Sequence, residues 1–273
     1  MKDIIVVYHA DCMDGAGAAY AAWTVLGETA EYIPAHYGNE PPDVTGKVVY
    51  VLDFSYPRAV LLDMKAKAKS LLVLDHHKTA RTDLEGLDFA VFDMDRSGCM
   101  MAWDHFVGEL PPKALVFIQD RDLWQFKFPE TRDFCAGLRA TMEDFRGIHY
   151  LCTDDMIELG AALNAEFDRD LDTLEKRAHT FIVYADGIKR FGLAVNAPAK
   201  YASELGNRLA KRANTAGLVY SYDGSRKEWQ YSLRSTDEGL DVSSIAKRYC
   251  GGGHRNAAGF ARKVTPDFDE WVL

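Results

Sequence analysis

The sequence predicts an α/β protein with an N-terminal domain built on a mostly parallel βαβ sheet and a smaller C-terminal α/β domain, the two joined by a helical connector. Three observations support this class. The first half of the chain alternates short apolar runs with longer helical patterns, which is typical of βαβ units. An acidic helical stretch in the middle has one glycine and no proline. A second alternation of strands and helices follows it, and 273 residues suffice for about two domains of ~150 residues each.

The N-terminal domain is predicted to span residues 1–152 and to begin with a strand of β-branched residues at 4–7. An Ala- and Gly-rich helix follows from about Asp14 to Leu26. The other predicted elements are the strands 48–52, 71–74 and 89–92, a helix opened by Pro57 that runs to Lys69, a helix that runs to Val107 with Ser97 as its N-cap, and a later apolar helix at 114–119. Strands separated by such helices predict parallel pairing, and ligands collect at the carboxyl ends of parallel strands.

The helical connector is predicted over residues 153–186, and the domain boundary falls within it. The C-terminal domain is predicted over residues 187–273. Its elements are the strands 191–195, 218–222 and 229–233 and the helices 201–212 and 242–249.

Charge is distributed unevenly between these domains. The formal net charge is −9 in total, −14 over residues 1–186 and +5 over residues 187–273. An acidic body with a small basic domain argues against a protein that binds long duplex nucleic acid, because phosphate contacts dominate that kind of binding. The asymmetry fits a protein that holds cations in one half and a small anion in the other, although solubility alone also accounts for it.

No stretch of the chain approaches the ~18 apolar residues of a membrane span, and the apolar run at 4–8 is too short for the core of a signal peptide. The five cysteines form no close pair, which is typical of reduced thiols. We therefore expect a cytoplasmic protein with no membrane partner. A homo-oligomer is compatible with the sequence.

Carboxylates and imidazoles follow three predicted strands and one predicted helix. They are His9, Asp11 and Asp14 after the first strand, Asp53 after the second, Asp75, His76 and His77 after the third, and Asp120 and Asp122 after the later helix. A single Asp after a strand is usually a turn former or a helix cap. Several carboxylates at one sheet edge, however, repel one another unless cations lie between them. Histidine and carboxylate ligands favour Mn²⁺ or a related divalent ion, and two such ions ~4 Å apart can activate a water for phosphoryl displacement.

A glycine-rich segment follows the last predicted helix. Three consecutive glycines at 251–253 let the backbone approach a ligand and present N–H groups to an anion, although most such segments are only tight turns. The neighbouring imidazole and guanidinium groups add donors suited to phosphate. The residues that we predict to bind a substrate phosphate are Arg234, Gly252, Gly253, His254 and Arg255.

Together these motifs resemble the DHH phosphoesterase family with its DHH-associated C-terminal domain. The triplet at 75–77 is Asp-His-His, the motif that names the family. The acidic and histidine residues at 9–14, 53 and 120 lie where the family's other metal-binding motifs fall, and the segment 251–259 resembles the glycine-rich signature of the C-terminal domain. The resemblance covers nearly the whole chain, with its two most specific motifs in the family's order on opposite sides of the connector.

The resemblance implies a two-metal phosphodiesterase or phosphomonoesterase that usually depends on Mn²⁺, with Mg²⁺ or Co²⁺ as alternatives. It implies catalytic roles for Asp75, which would orient the neighbouring histidines, and for His77, which would face the scissile phosphate. The C-terminal domain would hold the substrate's terminal phosphate or base, with the active site in the cleft between domains. The implied ligands are His9, Asp11 and Asp53 for one ion and Asp14, Asp53, His76 and Asp120 for the other.

One feature departs from the family pattern. Many members space the first two aspartates as D-x-D, whereas Asp11 and Asp14 are separated by two residues. Asp122 is an alternative to Asp120 as the last ligand, and a cap is the role expected for whichever of the two is not a ligand. Cys12 lies in the same loop as Asp11, where it is either a ligand or a small buried residue; the sequence favours the buried residue.

We therefore expect a hydrolase that cleaves phosphodiester bonds of short oligonucleotides or small nucleotides through a water activated by two metals, an exonuclease of the oligoribonuclease type. Two alternatives stay open. An inorganic pyrophosphatase or polyphosphatase would make no use of a base-stacking surface, so a nucleoside monophosphate should leave it nearly uninhibited. A non-catalytic nucleotide-binding regulatory protein would keep the fold and bind nucleotide without turnover.

Overall fold

The computed structural model describes residues 2–185, 188–263 and 271–272. The chain divides into two units, residues 1–165 and 166–273, and the division falls within the long helix α7 (Thr153–Glu175). Each unit has its own sheet and its own hydrophobic core, which confirms the predicted α/β class. No helix in the described ranges combines the length and the apolar character needed to cross a membrane.

The first unit is built on a five-stranded sheet. In spatial order its strands are β2 (Ala30–Ala35), β1 (Ile4–His9), β3 (Val48–Leu52), β4 (Ser70–Asp75) and β5 (Ala90–Phe92). Every neighbouring pair is parallel, as the βαβ pattern predicts. The sequence patterns do not predict β2, because Glu31 and Pro34 interrupt its apolar run. As an edge strand, β2 can tolerate a proline.

Helices pack on both faces of this sheet. The helices that precede α7 are α1 (Met13–Leu26), α2 (Arg58–Lys67), α3 (Lys78–Asp83), α4 (Gly98–Phe106), α5 (Lys113–Asp122) and α6 (Thr131–Thr141), and α3 has no buried residue. One core joins the sheet to α1, α4 and α5 and contains Val6 of β1, and the core on the opposite face contains Val7 of β1 and Leu61 of α2. Successive strand residues point to opposite faces, so strands covered on both sides read as continuous apolar runs.

The first helix lies deep inside the unit. Residues 14–22 of α1 are all buried, and a Cβ added at Gly17 would lie 2.7 Å from the Cβ of Cys99 in α4. Small side chains therefore let α1 and α4 pack closely. The N-termini of both helices lie beside the ends of the strands, where Asp14 joins them.

The second unit contains a seven-stranded mixed sheet. In spatial order its strands are β10 (Gly252–His254), β11 (Ala257–Arg262), β9 (Glu228–Ser235), β8 (Ala216–Asp223), β7 (Ile188–Asn196), β6 (His179–Ala185) and β12 (Trp271–Val272). Two helices, α8 (Ala202–Ala213) and α9 (Val242–Arg248), contribute buried side chains to its cores. The pairs β7–β8 and β6–β12 are parallel, and the other neighbouring pairs are antiparallel.

Two segments differ from the sequence-based expectation. The connector helix ends at Glu175, and residues 179–185 form β6; Phe181 and Val183 alternate inward there, a period-2 pattern that indicates a strand. The predicted glycine-rich turn contains the edge strand β10, paired antiparallel with β11. Residues 186–187, at the predicted boundary between connector and C-terminal domain, lie outside the described residues.

Candidate active site

The candidate site lies at the carboxyl edge of the first unit's sheet, where β1, β3 and β4 end side by side. His9 ends β1, Asp53 follows β3 and Asp75 ends β4. Gly15 lets α1 start against the end of β1, because a Cβ there would lie 2.1 Å from the His9 carbonyl oxygen. The backbone N–H of Asp53 donates to the carbonyl oxygen of Leu74 at 2.9 Å. This bond fixes Asp53 between the ends of the two neighbouring strands.

Asp53 is the central residue of the site. Its side chain is 1% exposed. Within the described residues, neither carboxylate oxygen has a hydrogen-bond partner, and neither does Nδ1 of His9. Oδ2 lies 3.4 Å from that nitrogen, and Oδ1 lies 3.2 Å from Nε2 of His76. A Cβ at Gly98 would lie 2.4 Å from the Cβ of Asp53, so the glycine makes room for this carboxylate. Buried carboxylates of this kind are costly unless a cation neutralises them.

Two groups of potential metal ligands share Asp53. In the first group, one ligand atom each from His9, Asp53 and His77 lie within 4.8 Å of one another. The second group has the same property and consists of Asp14, Asp53 and His76. Mixed imidazole and carboxylate donors suit divalent ions such as Mn²⁺. Among the residues that the structure describes, three of the four buried side-chain atoms without a hydrogen-bond partner belong to this set, and the fourth is Oδ1 of Asn256. The residues present therefore fit a pair of divalent ions that share one carboxylate.

The carboxylate of Asp14 is held by the N-terminus of α4. It is 1% exposed and accepts hydrogen bonds from the backbone N–H groups of Gly98 at 2.6 Å and Cys99 at 3.0 Å. Helix N-termini carry unpaired N–H groups and partial positive charge, which favour an anionic side chain. One oxygen of Asp14 also lies 3.6 Å from Nε2 of His76. The structure thus brings Asp14 together with Asp53 and His76, and its role as a ligand stays a prediction.

Asp75 does not face the proposed ions but fixes the two histidines that follow it. It is fully buried, and its Oδ1 accepts hydrogen bonds from the backbone N–H of His76 at 2.7 Å and of His77 at 3.1 Å. The same oxygen lies 2.6 Å from Nδ1 of His77. Oδ2 accepts a hydrogen bond from the hydroxyl of Ser55 at 2.5 Å. Asp75 therefore orients the His77 ring, the geometry expected of a residue that positions a ligand or an acid–base group.

Sequence reasoning did not identify Ser55 as part of the site. Its hydroxyl donates to the Asp75 carboxylate. The sequence feature that could have identified Ser55 is its position two residues after Asp53, beyond the end of the same strand. Gly98 was also missed, because the need for a glycine there arises only from its contact with Asp53.

The structure places Asp122 beside His76, whereas the carboxylate of Asp120, the predicted ligand, is hydrogen-bonded elsewhere. An oxygen of Asp122 lies 3.5 Å from Nε2 of His76. The carboxylate of Asp120 instead accepts hydrogen bonds from the backbone N–H of Lys127 at 2.9 Å and of Phe128 at 3.2 Å, and from the hydroxyl of Thr131 at 2.5 Å. Asp120 is thus a buried acceptor that orders the turn after α5, and Asp122 replaces it in the set of ligands that we propose.

Asp11 also departs from its predicted position. Its side chain is 90% exposed, and its nearest ion-pair partner is Nε2 of His36 at 3.6 Å. The positive φ of Asp11, +53°, turns this residue away from the cluster. Cys12, the next residue, is half-buried and is the N-cap of α1. Burial, followed by the charges of Asp53 and other nearby carboxylates, raises the pKa of the Cys12 thiol well above its ordinary value.

The ionisable groups of the cluster strongly affect one another. Burial and the charges of Asp53 and Asp122 raise the pKa of Asp14 to about 8, and burial and Asp53 raise the pKa of Asp122 to about 6. Burial would lower the pKa of His76, but contact with Asp53 and the charges of Asp14 and Asp122 raise it to about 10. Burial would raise the pKa of Asp53, but His76 and His9 hold it well below its usual range. In the absence of metal, protons therefore balance the negative charge of this cluster.

In the second unit, Arg234 is a half-buried cation near the end of β9. Its guanidinium donates to the hydroxyl oxygen of Ser203 at 2.9 Å and to the carbonyl oxygen of Leu233 at 2.8 Å. No carboxylate within the described part of the chain lies at ion-pair distance from it, and burial lowers the pKa of Arg234. A partly desolvated guanidinium without a counter-charge is suited to an anionic ligand.

Arg255 has a different environment. It is exposed, and its guanidinium donates to the backbone carbonyl oxygens of Asp237 at 2.9 Å and Gly239 at 3.1 Å. These bonds hold the loop before α9 in place, so part of its donor capacity is used within the protein. His254, also predicted to bind phosphate, ends β10 and is half-buried.

The three consecutive glycines are not equivalent. A Cβ at Gly251 would lie 2.1 Å from the carbonyl oxygen of Gly259. A Cβ at Gly253 would lie 2.4 Å from the carbonyl oxygen of Ala257, and the φ of Gly253 is +136°. A Cβ at Gly252 would meet nothing within 4 Å. Sheet packing therefore requires Gly251 and Gly253, whereas Gly252 leaves an open stretch of backbone that a ligand can approach.

Comparison with known proteins places these features in a family. Residues 183–271 match the family model described as the DHHA1 domain. The chain is 33% identical to the uncharacterized protein R106 of Acanthamoeba polyphaga mimivirus, over 94% of this chain and 67% of that protein. It is 48% identical to oligoribonuclease NrnB of Bacillus subtilis (strain 168) over 59 residues, which are 22% of this chain and 14% of NrnB. The solved structure of RecJ from Thermus thermophilus in complex with Mn²⁺ has the same fold, with a TM-score of 0.51 and 14% identity over 99% of this chain and 53% of RecJ.

Proposed function

Because the chain belongs to the DHH family of phosphoesterases, whose members are metal-binding hydrolases, we propose that it hydrolyses phosphodiester bonds of short oligonucleotides or small nucleotides with two divalent ions, Mn²⁺ in the first place. The observation that carries this proposal is Asp53, a buried carboxylate with no hydrogen bond that is shared by two groups of potential ligands. A site that only stabilised the fold would not require this arrangement.

We assign the ligands from the geometry. His9 and Asp53 would hold the first ion, and the second would lie among the carboxylates and imidazole of Asp14, Asp53, His76 and Asp122. When bound, two such ions activate a water and neutralise charge on the phosphoryl oxygens. The N-terminus of α4 keeps Asp14 in position for this.

The role that we propose for His77 is to face the scissile phosphate. Its Nδ1 is held by Asp75, so Nε2 is the nitrogen that can deliver a proton or a hydrogen bond to substrate. Burial would lower the pKa of His77, but Asp75 raises it. When protonated, the His77 ring could donate to a phosphoryl oxygen or to the departing oxygen. Asp75 and Ser55 act through this ring as positioning residues.

Residues of the second unit would bind the substrate's non-reacting phosphate. Arg234 offers a half-buried guanidinium without a carboxylate partner in the described residues, and Gly252 offers open backbone. Gly253 and His254 follow Gly252 on the edge strand β10, and Arg255 comes next in the chain. A preference for short substrates is supported by the overall negative charge of the chain and by the name of NrnB, an oligoribonuclease.

The test is hydrolysis of an end-labelled five-nucleotide RNA and of pyrophosphate, each with Mn²⁺ and with a chelator. We expect stepwise shortening of the RNA when Mn²⁺ is present and none when the chelator is present. The Asp53→Asn protein should not shorten the RNA under either condition. Asp63→Asn, which changes an exposed carboxylate on α2, is the matched control and should retain activity.

Loss of pyrophosphate without shortening of RNA would overturn the proposal in favour of an inorganic pyrophosphatase. Nucleotide binding with turnover of neither substrate would favour the regulatory alternative.

A further inference from the structure

An exposed aromatic ring borders the candidate metal centre. Tyr37 lies in the loop that follows the edge strand β2, two residues after Ala35, which pairs with His9 in the parallel register. It is 58% exposed. The centroid of its ring lies 5.4 Å from that of the His9 ring and 6.2 Å from that of the His77 ring, at interplanar angles of 71° and 85°. Tyr37 therefore lies beside both imidazoles of the first group of potential ligands.

Buried aromatic side chains support the ring of Tyr37. Phe54 is 1% exposed and directly follows Asp53, and its ring centroid lies 5.0 Å from that of Tyr37. Phe54 in turn packs edge-to-face against the buried Tyr56, with centroids 4.9 Å apart and an interplanar angle of 90°. The strand end that carries the shared carboxylate thus also supports the Tyr37 ring, while more than half of the residue stays open to solvent.

The other exposed aromatic side chains in the described part of the first unit have different neighbours. Their ring contacts join Trp124 to Phe126, Phe128 to Phe117 and Tyr150 to His149, and these partners lie outside both groups of potential ligands. Single exposed apolar side chains are common on protein surfaces, so exposure alone assigns no role to Tyr37. Its position beside two candidate ligands is what points to a role in binding.

The chemistry of a nucleotide fits this position. When the phosphate of a nucleotide lies at the metal centre, facing His77, its base is one sugar ring away and within reach of Tyr37, the neighbour of that histidine. Bases stack on aromatic side chains, and the contact tolerates any base because every base has a π face. Pyrophosphate and polyphosphate have no group that would use this ring.

We propose that Tyr37 is the stacking surface for the base of the nucleotide that is bound at the metal centre. The substrate class is then nucleotides, because part of the binding free energy comes from a base. The inference rests on the proposed function, since it assumes that the metal centre binds the phosphate. The ring face makes the contact, so the hydroxyl of Tyr37 is not required for it.

The experiment compares the affinities of adenosine 5′-monophosphate (AMP) and ribose 5-phosphate, which differ by the base. Isothermal titration of each compound into the full-length, Mn²⁺-loaded protein measures Kd, and neither compound contains a phosphodiester bond. We expect the wild-type protein to bind AMP about 5- to 100-fold more tightly than ribose 5-phosphate, the range that stacking of one base on one aromatic ring provides.

Three variants identify the ring as the source of this preference. Tyr37→Leu keeps an apolar side chain beside Phe54 but should lose the preference for AMP, with wild-type Kd values for ribose 5-phosphate and for Mn²⁺. Tyr37→Phe keeps the ring and should keep the preference. Tyr150→Leu, the matched control, changes a tyrosine of the same unit that is 79% exposed, and it should also keep the preference.

Equal affinity of the wild-type protein for AMP and ribose 5-phosphate would overturn the inference, whether or not the variants fold. A Tyr37→Leu protein that still prefers AMP would overturn it as well. So would a Tyr37→Leu protein that binds both compounds and Mn²⁺ more weakly by the same factor, because the role of Tyr37 would then be structural. Loss of the preference in Tyr37→Phe would assign the contact to the hydroxyl and contradict stacking.

The outcomes separate this inference from the proposed function, which is tested by shortening of the five-nucleotide RNA. Shortening of the RNA without a preference for AMP would overturn the stacking role and leave the phosphodiesterase in place. A preference for AMP that depends on Tyr37, without shortening of the RNA, would overturn the phosphodiesterase and leave the stacking role in place.

Discussion

The candidate metal centre of the first unit and the candidate phosphate-binding residues of the second unit differ in the sign of their charged groups and in the partners of those groups. At the metal centre, buried carboxylates and imidazoles contact one another, and the carboxylate oxygens of the central residue, Asp53, accept no hydrogen bond from the described residues. In the second unit, Arg255 is exposed and donates to the protein's own backbone. Only Arg234 is a half-buried cation without a carboxylate partner among the residues described there.

The two candidate sites therefore suit ligands of opposite charge. We propose that the carboxylates of the first unit bind cations, so changes there should alter metal binding and turnover. In the second unit the candidate binding groups are the guanidinium of Arg234 and the open backbone at Gly252, so changes there should alter substrate affinity. The predictions below test this division from the largest expected effect to the smallest.

The largest effect is expected for Asp53→Asn. This change removes the charge that both ligand groups share, so we expect kcat to fall on the order of 10³-fold or more. Metal-induced stabilisation should disappear as well. For the wild-type chain, an ion at about 100 times its Kd adds about 2.7 kcal/mol to the free energy of unfolding, which thermal denaturation with and without Mn²⁺ measures.

The metal-free Asp53→Asn protein should be less stable than the metal-free wild type at pH 7, because His76 and His9 favour the ionised Asp53 in the folded protein. A variant that is still stabilised by Mn²⁺ would show that Asp53 is not the shared ligand.

The next effect separates two neighbouring aspartates. Asp122→Asn should weaken metal binding about 10–100-fold and leave the free energy of unfolding of the metal-free protein nearly unchanged. Asp120→Asn should leave metal affinity unchanged and lower the free energy of unfolding by about 1–3 kcal/mol, because it disturbs the hydrogen bonds from Lys127, Phe128 and Thr131. Isothermal titration with Mn²⁺ and denaturant unfolding of both variants measure the contrast. The opposite pattern would restore Asp120 as the ligand.

The sequence alone could not decide between Asp120 and Asp122, for a geometric reason. Residues that are two positions apart on a helix point in directions about 200° apart around its axis, so only one of these two aspartates can face the cluster. The rotation of α5 is set by the burial of Leu115 and Ile118 in the core. The order of residues alone does not reveal this tertiary packing.

Other parts of the site and fold were predictable for equally physical reasons. The bounds of β3 agree with the predicted strand at 48–52, because a buried strand of a parallel sheet is a continuous apolar run between polar residues. Asp53 comes directly after β3, and Asp75 ends the adjacent strand β4. Parallel pairing of these strands therefore brings the two residues close together. Asp11 could not be placed in advance, because its outward direction depends on a backbone with positive φ. The helical prediction for β6 failed because no glycine or proline separates that strand from α7.

The third prediction concerns proton release at the metal centre. The pKa of His76 is raised to about 10 and that of Asp14 to about 8, so both hold protons at pH 7 in the metal-free protein. Bound metal requires their deprotonated forms. Mn²⁺ affinity should therefore rise with pH between 6 and 8, by about tenfold per pH unit for each proton released. Calorimetry in buffers of different ionisation enthalpy counts the protons, and a heat that is independent of buffer would contradict the predicted state of the cluster.

The smallest effect is expected in the second unit, where two adjacent glycines provide a matched pair. Gly252→Ala adds a methyl group that meets no atom within 4 Å, so the melting temperature should stay near that of the wild type. If the open backbone at Gly252 binds the substrate phosphate, KM should rise several-fold with little change in kcat, because such a contact is made equally in the ground and transition states.

Gly253→Ala should do the reverse. The added methyl group would lie 2.4 Å from the carbonyl oxygen of Ala257, at a backbone φ of +136° that favours glycine. We expect it to lower the free energy of unfolding by about 1–3 kcal/mol, measured by denaturant unfolding. A Gly252→Ala protein with unchanged KM for RNA would mean that β10 serves the sheet alone. The binding role in this unit would then rest on Arg234, the one half-buried cation there that lacks a carboxylate partner within the described residues.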